Sequence, residues 1–285
     1  MEIIKLKPDQ MEFFSHLDPF DFASISVLPG AFALGAVEQD EDGNDIPAGL
    51  CVFRKTTDSL RIEWIAVAND YQMQGIGDEL CYSVVTLAKD MGVPRVEAAF
   101  YENPGRDEIC EGEREYFMDR DFDRDGGDVC YAMVTLSEIR NLPYFNGSRG
   151  VKKLTSLSKM TSAEIKTMTA ELEGKKHYGA ICPIADGVDS ISKELSYSIP
   201  SASGTGGGLL VFAEGGVIAP VAMGANDDVL VPSLLYTALE ASDIFDEKTN
   251  VIIMPGDTIW NQMMETILVE HVIRGRLLVY DVNQN

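Results

Sequence analysis

Along this chain, apolar residues alternate with polar ones over short stretches, switch to helical spacing, and then alternate again, and this switching sets the predicted elements. In the first half, residues 1–7 predict an edge strand. Residues 9–17 and 19–26 predict two short helices, broken at Asp18-Pro19. Strands are predicted at 32–37, 48–55 and 60–67, joined by the polar turns Glu41-Asp42-Gly43-Asn44-Asp45 and Thr56-Thr57-Asp58-Ser59. Leu80, Val84, Val85, Leu87 and Ala88 recur at helical spacing. They predict a helix from Gly77 to about Met91, ended by Gly92 before Pro94. A strand at 95–101, a helix at 107–119 and a strand at 128–136 complete this half.

The second half repeats the order. A strand at 151–158 leads to a helix that starts at Thr161-Ser162-Ala163-Glu164 with a capping residue. Strands follow at 195–199, 207–214 and 217–224, then a helix carrying Leu234, Leu235, Ala238 and Leu239. A strand at 250–254, a helix at 257–269 and a strand at 276–281 close the chain, and Asn250-Val251-Ile252-Ile253-Met254 echoes the strand at 95–101. A chain of 285 residues is long for one core. Together with the repeat, this length predicts a tandem duplication, with domains at 1–140 and 151–285 that meet in the segment from Asn141 to Gly150.

One junction carries chemistry. Trp64-Ile65-Ala66-Val67-Ala68-Asn69-Asp70-Tyr71-Gln72-Met73-Gln74-Gly75-Ile76-Gly77 reads as a buried strand, a turn, and a Gly-x-Gly step opening into an amphipathic helix. That arrangement aims backbone N–H groups and the positive end of a helix dipole at one point, where phosphate binds. A P-loop needs Lys-Ser/Thr after its last glycine, and here Gly77 is followed by Asp78-Glu79. A dinucleotide fingerprint needs a small residue at position 80, which is Leu80. Gln72-Met73-Gln74-Gly75-Ile76-Gly77 instead matches Gln/Arg-x-x-Gly-x-Gly/Ala. With the strand ending at Val67 and the helix behind it, the stretch resembles the acetyl-CoA signature of the GNAT (Gcn5-related) N-acetyltransferases. The order of elements in the first half is also that family's order.

The resemblance implies an α/β (α+β) architecture of two tandem GNAT-like acyl-CoA N-acyltransferase folds, each a mixed, mostly antiparallel sheet flanked by helices. It implies acetyl-CoA as co-substrate and an amine acceptor, a small molecule or a peptide. The backbone of Ile65, Ala66 and Val67 would meet the pantetheine arm. Gln72, Met73, Gln74, Gly75, Ile76 and Gly77 would cradle the pyrophosphate, and Asn103 matches a cofactor-contacting asparagine in type. The position of Gln74 is often basic in the family, so a neutral residue there weakens phosphate affinity somewhat.

Two catalytic candidates follow. Glu63 lies four residues before Val67, so strand alternation puts both on one face, where a carboxylate beside a partly apolar cleft can act as a base. It can equally be a carboxylate that pairs with Arg61 or a neighbouring strand. Tyr116 is the candidate acid. However, if Phe122 anchors the segment, Phe117 holds the family's usual tyrosine position, and one residue on a helix turns a side chain by about 100°. Tyr116 is therefore expected to point elsewhere unless the helix shifts. The second repeat has no such loop: after its fourth strand it reads Ala225-Asn226-Asp227-Asp228, so only the first repeat is expected to bind acetyl-CoA. Gly204-Thr205-Gly206-Gly207-Gly208 precedes a strand and reads as a hairpin connection.

Charge and composition narrow the classes. The net charge is −23, with 12 basic against 29 acidic residues in 1–140 and 11 against 17 in 141–285. Such a field repels nucleic acid and anionic membranes, and no run approaches the roughly 20 apolar residues of a membrane helix. It is suited to solubility, or to a cationic acceptor. Asp121-x-Asp123-x-Asp125-Gly126 lacks the closing glutamate of a calcium loop, which falls on Ala132. His16, His177 and His271 are scattered, and the five cysteines show no CxxC spacing, so a metal site is not expected and a reduced, cytoplasmic protein is. The rival reading is a non-catalytic acyl-CoA-binding or protein-interaction module.

Overall fold

The strands begin where β-branched and aromatic residues alternate and end at polar turns. The structure, a computed structural model, describes residues 1–19, 21–102, 107–143, 154–183, 190–201, 204–227, 230–254 and 264–282. It divides into two compact units.

The first unit comprises Met1–Val129 and Arg274–Asn285. Strands β1 (Glu2–Leu6), β2 (Ala31–Gln39), β3 (Asp45–Lys55) and β4 (Ser59–Val67) form an antiparallel run in sequence order. β5 (Arg95–Tyr101) joins β4 in parallel, and β13 (Val272–Asp281) joins β5 antiparallel, from Gly275↔Tyr101 to Asp281↔Arg95. Residues 48–54 of β3 are buried without alternation, because both faces of the sheet are covered. On one face lies helix α2 (Ile76–Asp90), which buries Ile76, Leu80, Val84 and Ala88 against Cys51, Phe53 and Ile62. Each of the buried Ile, Leu and Val side chains contributes about 1.5–3 kcal/mol. On the other face lie Met11, Phe14, Leu17, Phe22 and Ile25 from a 3-10 segment (Pro8–Leu17) and the short helix α1 (Ala23–Ser26).

The second unit spans Cys130–Ile273. Its sheet begins with the end of β6 (Arg124–Thr135), antiparallel to β12 (Asn250–Ile253). β12 lies parallel to β11 (Val217–Ala225), followed by β10 (Gly204–Glu214), β9 (Tyr197–Ser201) and the two-residue β7 (Thr155–Ser156). A further strand, β8 (His177–Ala180), pairs with β11. Helices α4 (Ser162–Leu172) and α5 (Leu230–Ala241) pack on β10 and β11. Thr161 caps α4, accepting from the Glu164 amide.

The structure departs from the sequence expectations in several places, one being Gly204–Gly208, expected as a hairpin connection but part of β10. Residues 8–17 are 3-10 rather than α-helical, and the next helix starts only at Ala23, because the Asp18 carboxylate accepts from the amides of Phe22 and Ala23 at 2.7 and 2.6 Å. Of the strand expected at 151–158, residues 151–153 lie outside the described residues, and only Thr155–Ser156 of the remainder form a strand, before a 3-10 turn. β8 was not expected. The compact units also do not follow the contiguous division at 140 and 151: the chain's final strand completes the first unit's sheet, and residues from Cys130 onward count with the second. Part of the expected linker, 144–150, and the start of the helix expected at 257–269 lie outside the described residues.

Candidate functional site

The site begins with a β-bulge. On β3 and β4, Val52 pairs with Trp64 and Phe53 with Ile62, so Glu63 is an extra residue that no β3 residue opposes. The parallel β4–β5 ladder runs from Ser59↔Arg95 to Ile62↔Ala98 and ends there. Past the bulge the two strands part, and 64–67 form one wall of a cleft of about 720 Å³. Ile65, Ala66 and Val67 are half-buried along it.

The floor is the turn into α2. A 3-10 turn (Asn69–Tyr71) follows β4, and Gln72 Nε2 ties it down by donating to Asn69 Oδ1 at 3.2 Å. Met73 and Gly75 are both left-handed, at φ 60° and 84°. Glycine is required at 75, where a side chain would be strained by the backbone alone. Gly75 is also the N-cap of α2 and offers no side-chain cap, so the first amides of the helix face the cleft without a protein acceptor from that residue. At Gly77 a Cβ would lie 3.0 Å from the Tyr116 hydroxyl, so an added methyl there would press on that side chain.

Helix α3 (Asp107–Met118) supplies the opposite wall. Tyr116 lines the cleft, and its hydroxyl is buried without a hydrogen-bond partner among the described residues. Burial pushes the hydroxyl's pKa up, so it stays protonated throughout the neutral range. Arg120 lies 3.6 Å over the Tyr116 ring and donates from Nε to Asp78 Oδ1 at 2.7 Å, offsetting the acid in the first turn of α2. Glu113 lines the same wall.

The expectation for Tyr116 is corrected here. Phe117, only 2% exposed, turns into the core and packs edge-on to Phe100 and Phe122, which sends Tyr116 into the cleft over Gly77. The expectation for Glu63 is corrected as well. The bulge breaks the alternation that placed it with Val67. Glu63 is 1% exposed and does not line the cleft, and both its oxygens are engaged: Arg54 Nε donates to Oε1 and the Tyr101 hydroxyl to Oε2. Arg61 pairs with Glu97 at 2.7 Å. Gln74 turns away from the cleft, donating to the Asp70 carbonyl at 3.0 Å. Asn103 lies outside the described residues. Of the expected set, the structure thus brings together 65–67, Gln72, Met73, Gly75–Gly77 and Tyr116. It adds Arg120, which lies four residues after Tyr116 and at helical spacing shares its face.

Among the described residues, no group of three or more His, Cys, Asp or Glu could hold a metal, and no helix is long and apolar enough to cross a membrane.

Residues 3–107 match the model of the acetyltransferase (GNAT) family. No curated protein matches the chain in sequence. In fold, the chain is similar to a GCN5-related N-acetyltransferase from Sphaerobacter thermophilus, at 13% identity and a TM-score of 0.57 over 98% of this chain and 96% of that one. It is also similar to a tandem GNAT protein from the clavulanic acid biosynthesis pathway, at 13% identity and a TM-score of 0.53 over 100% of this chain and 99% of that one.

Proposed function

We propose that the chain's first unit, whose residues 3–107 match the model of the acetyltransferase (GNAT) family, transfers an acetyl group from acetyl-CoA to a primary amine of a small molecule or peptide. The observation that carries the reading is the parting of β4 and β5 after Ile62, directly above a left-handed Gly75 that opens α2. A free strand edge and an uncapped helix start, in one cleft, fit the two parts of the cofactor: an amide-bearing arm and a pyrophosphate.

Acetyl-CoA supplies the activated acyl carbonyl. The residues do the rest. The backbone of 65–67 orients the arm, and the amides at the start of α2 hold the phosphates. Arg120 offsets Asp78, whose charge would otherwise oppose an anion there. Tyr116 keeps its proton at Oη until the amine has attacked the acyl carbon; it would give that proton to the thiolate as the C–S bond breaks and regain one, through water, from the new amide nitrogen. With Glu63 held by Arg54 and Tyr101, the acceptor ammonium gives its proton to water. The acidic surface of the first 140 residues favours approach of a cationic amine.

A second reading, an acyl-CoA-binding module without catalysis, is favoured by one observation: the carboxylate in the base position is fully engaged. Calorimetry with acetyl-CoA, a Gly75→Glu control and an amine screen separate the two. One site lost in the control, with turnover reduced about 10²-fold or more by Tyr116→Phe, is expected for the enzyme. Tight binding without transfer to any amine selects the module. Absence of binding rejects both.

A further inference from the structure

The second unit contains a counterpart of the cleft edge, and it is filled. On β10 and β11, Leu210 pairs with Ala222 and Val211 with Pro220, leaving Val221 as the extra residue, as Glu63 is on β4. The parallel β11–β12 ladder ends at Ile218↔Val251, as β4–β5 ends at Ile62↔Ala98. Counted from the bulge, Ala222–Ala225 occupy the place of Trp64–Val67. In the first unit that stretch faces an open cleft. In the second it is paired antiparallel with β8, from Ala222↔Ala180 to Ala225↔His177. The pairing is clamped at both ends: the Ile181 amide donates to the Val221 carbonyl at 2.9 Å, and the Lys176 amide to Asn226 Oδ1 at 3.3 Å. Ala222, Met223 and Ala225 are fully buried, where Ile65–Val67 are half-exposed.

We infer that the second unit's edge is a peptide-strand site, occupied by this chain's own β8, and that the unit is thereby closed to acyl-CoA, leaving one cofactor site per chain. The physical case is one of hydrogen-bond accounting. A strand edge at a splayed ladder presents unpaired N–H and C=O groups, and burying them without partners is costly. An amide-bearing arm satisfies such an edge only while it is bound, whereas an extended segment of the chain satisfies it permanently. β8 supplies four residues in register, and the turn after β11 lacks the glycines that would make a phosphate loop. The inference rests on the reading of the first unit's edge as the acyl-CoA edge.

Hydrogen exchange of the full chain, with and without acetyl-CoA, tests it alongside calorimetric stoichiometry. In the free protein, amides of 222–225 are expected to exchange at least roughly tenfold more slowly than those of 65–67. Saturating acetyl-CoA is expected to slow 65–67, leave 222–225 unchanged, and titrate at one per chain. Equal exchange of the two edges in the free protein, slowing of 222–225 by acetyl-CoA, or two sites per chain would each overturn the inference. If acetyl-CoA neither binds nor alters 65–67 while 222–225 stay protected, the strand assignment stands and the first unit's acyl-CoA reading falls.

Discussion

Glu63 shows how one residue's role turns on its neighbours. A carboxylate on the strand before a phosphate loop reads as a base until the bulge places it between Arg54 and Tyr101. A buried ion pair broken on one side leaves an uncompensated charge, at a cost of about 3–5 kcal/mol. Glu63→Gln is therefore expected to destabilise the protein by that order, seen as a lower urea midpoint, while the folded fraction keeps its kcat. A variant of unchanged stability whose kcat collapses would return Glu63 to the role of base. Tyr116 illustrates the converse. It stands one residue from the position the family pattern favours, yet Phe117's preference for the core delivers it to the cleft.

Among the elements, β13 has the tightest seat. Gly275 pairs with Tyr101, and a Cβ at 275 would lie 2.1 Å from the Phe100 carbonyl oxygen. No side chain fits without moving one strand off the other. Gly275→Ala is expected to cost about 2–4 kcal/mol and to weaken acetyl-CoA binding through β5, whose parting from β4 shapes the cleft. Chemical denaturation followed by calorimetry checks both, and a variant as stable as the parent would contradict the close seating. β8 carries the opposite lesson: four residues with little alternation, His177-Tyr178-Gly179-Ala180, give no strand signal by themselves and are ordered by the edge they pair with.

For the molecule as a whole, the first unit needs both ends of the chain. The fragment 1–140, although it contains every proposed cofactor contact, is expected to expose the edge of β5, aggregate, and bind no acetyl-CoA. A monomeric fragment that binds as the full chain does would show β13 to be dispensable. Alkaline pH offers a second test. Burial holds the thiol of Cys51 well above its ordinary 9.0, pushes that of Cys81 up to about 12, and raises the hydroxyls of Tyr101 and Tyr116 above 10.0. Folded, these groups keep protons that the unfolded chain releases. Stability is then full below pH 9 and falls as pH rises from 9 towards 12. Urea midpoints measured at pH 7, 8 and 10.5 are expected to be nearly level between the first two and lower at the third, and a flat profile would show these groups to be solvated.

The amino-acid sequence by itself determined the glycine turn at 75–77, the helix behind it and most strands, because these depend on short-range features: hydrophobic period, left-handed glycine, and caps such as Thr161 before Glu164. It also marked the second repeat as lacking that loop. Tertiary structure alone decided the bulge at Glu63, the turn of Tyr116 into the cleft, the pairing of β8 with β11, and the docking of the last strand against β5. Each of these depends on which distant edge or core a segment meets. Strand pairing carries no local signature of its partner: β13 alternates well enough to be a strand, and only the open side of β5 says where it belongs.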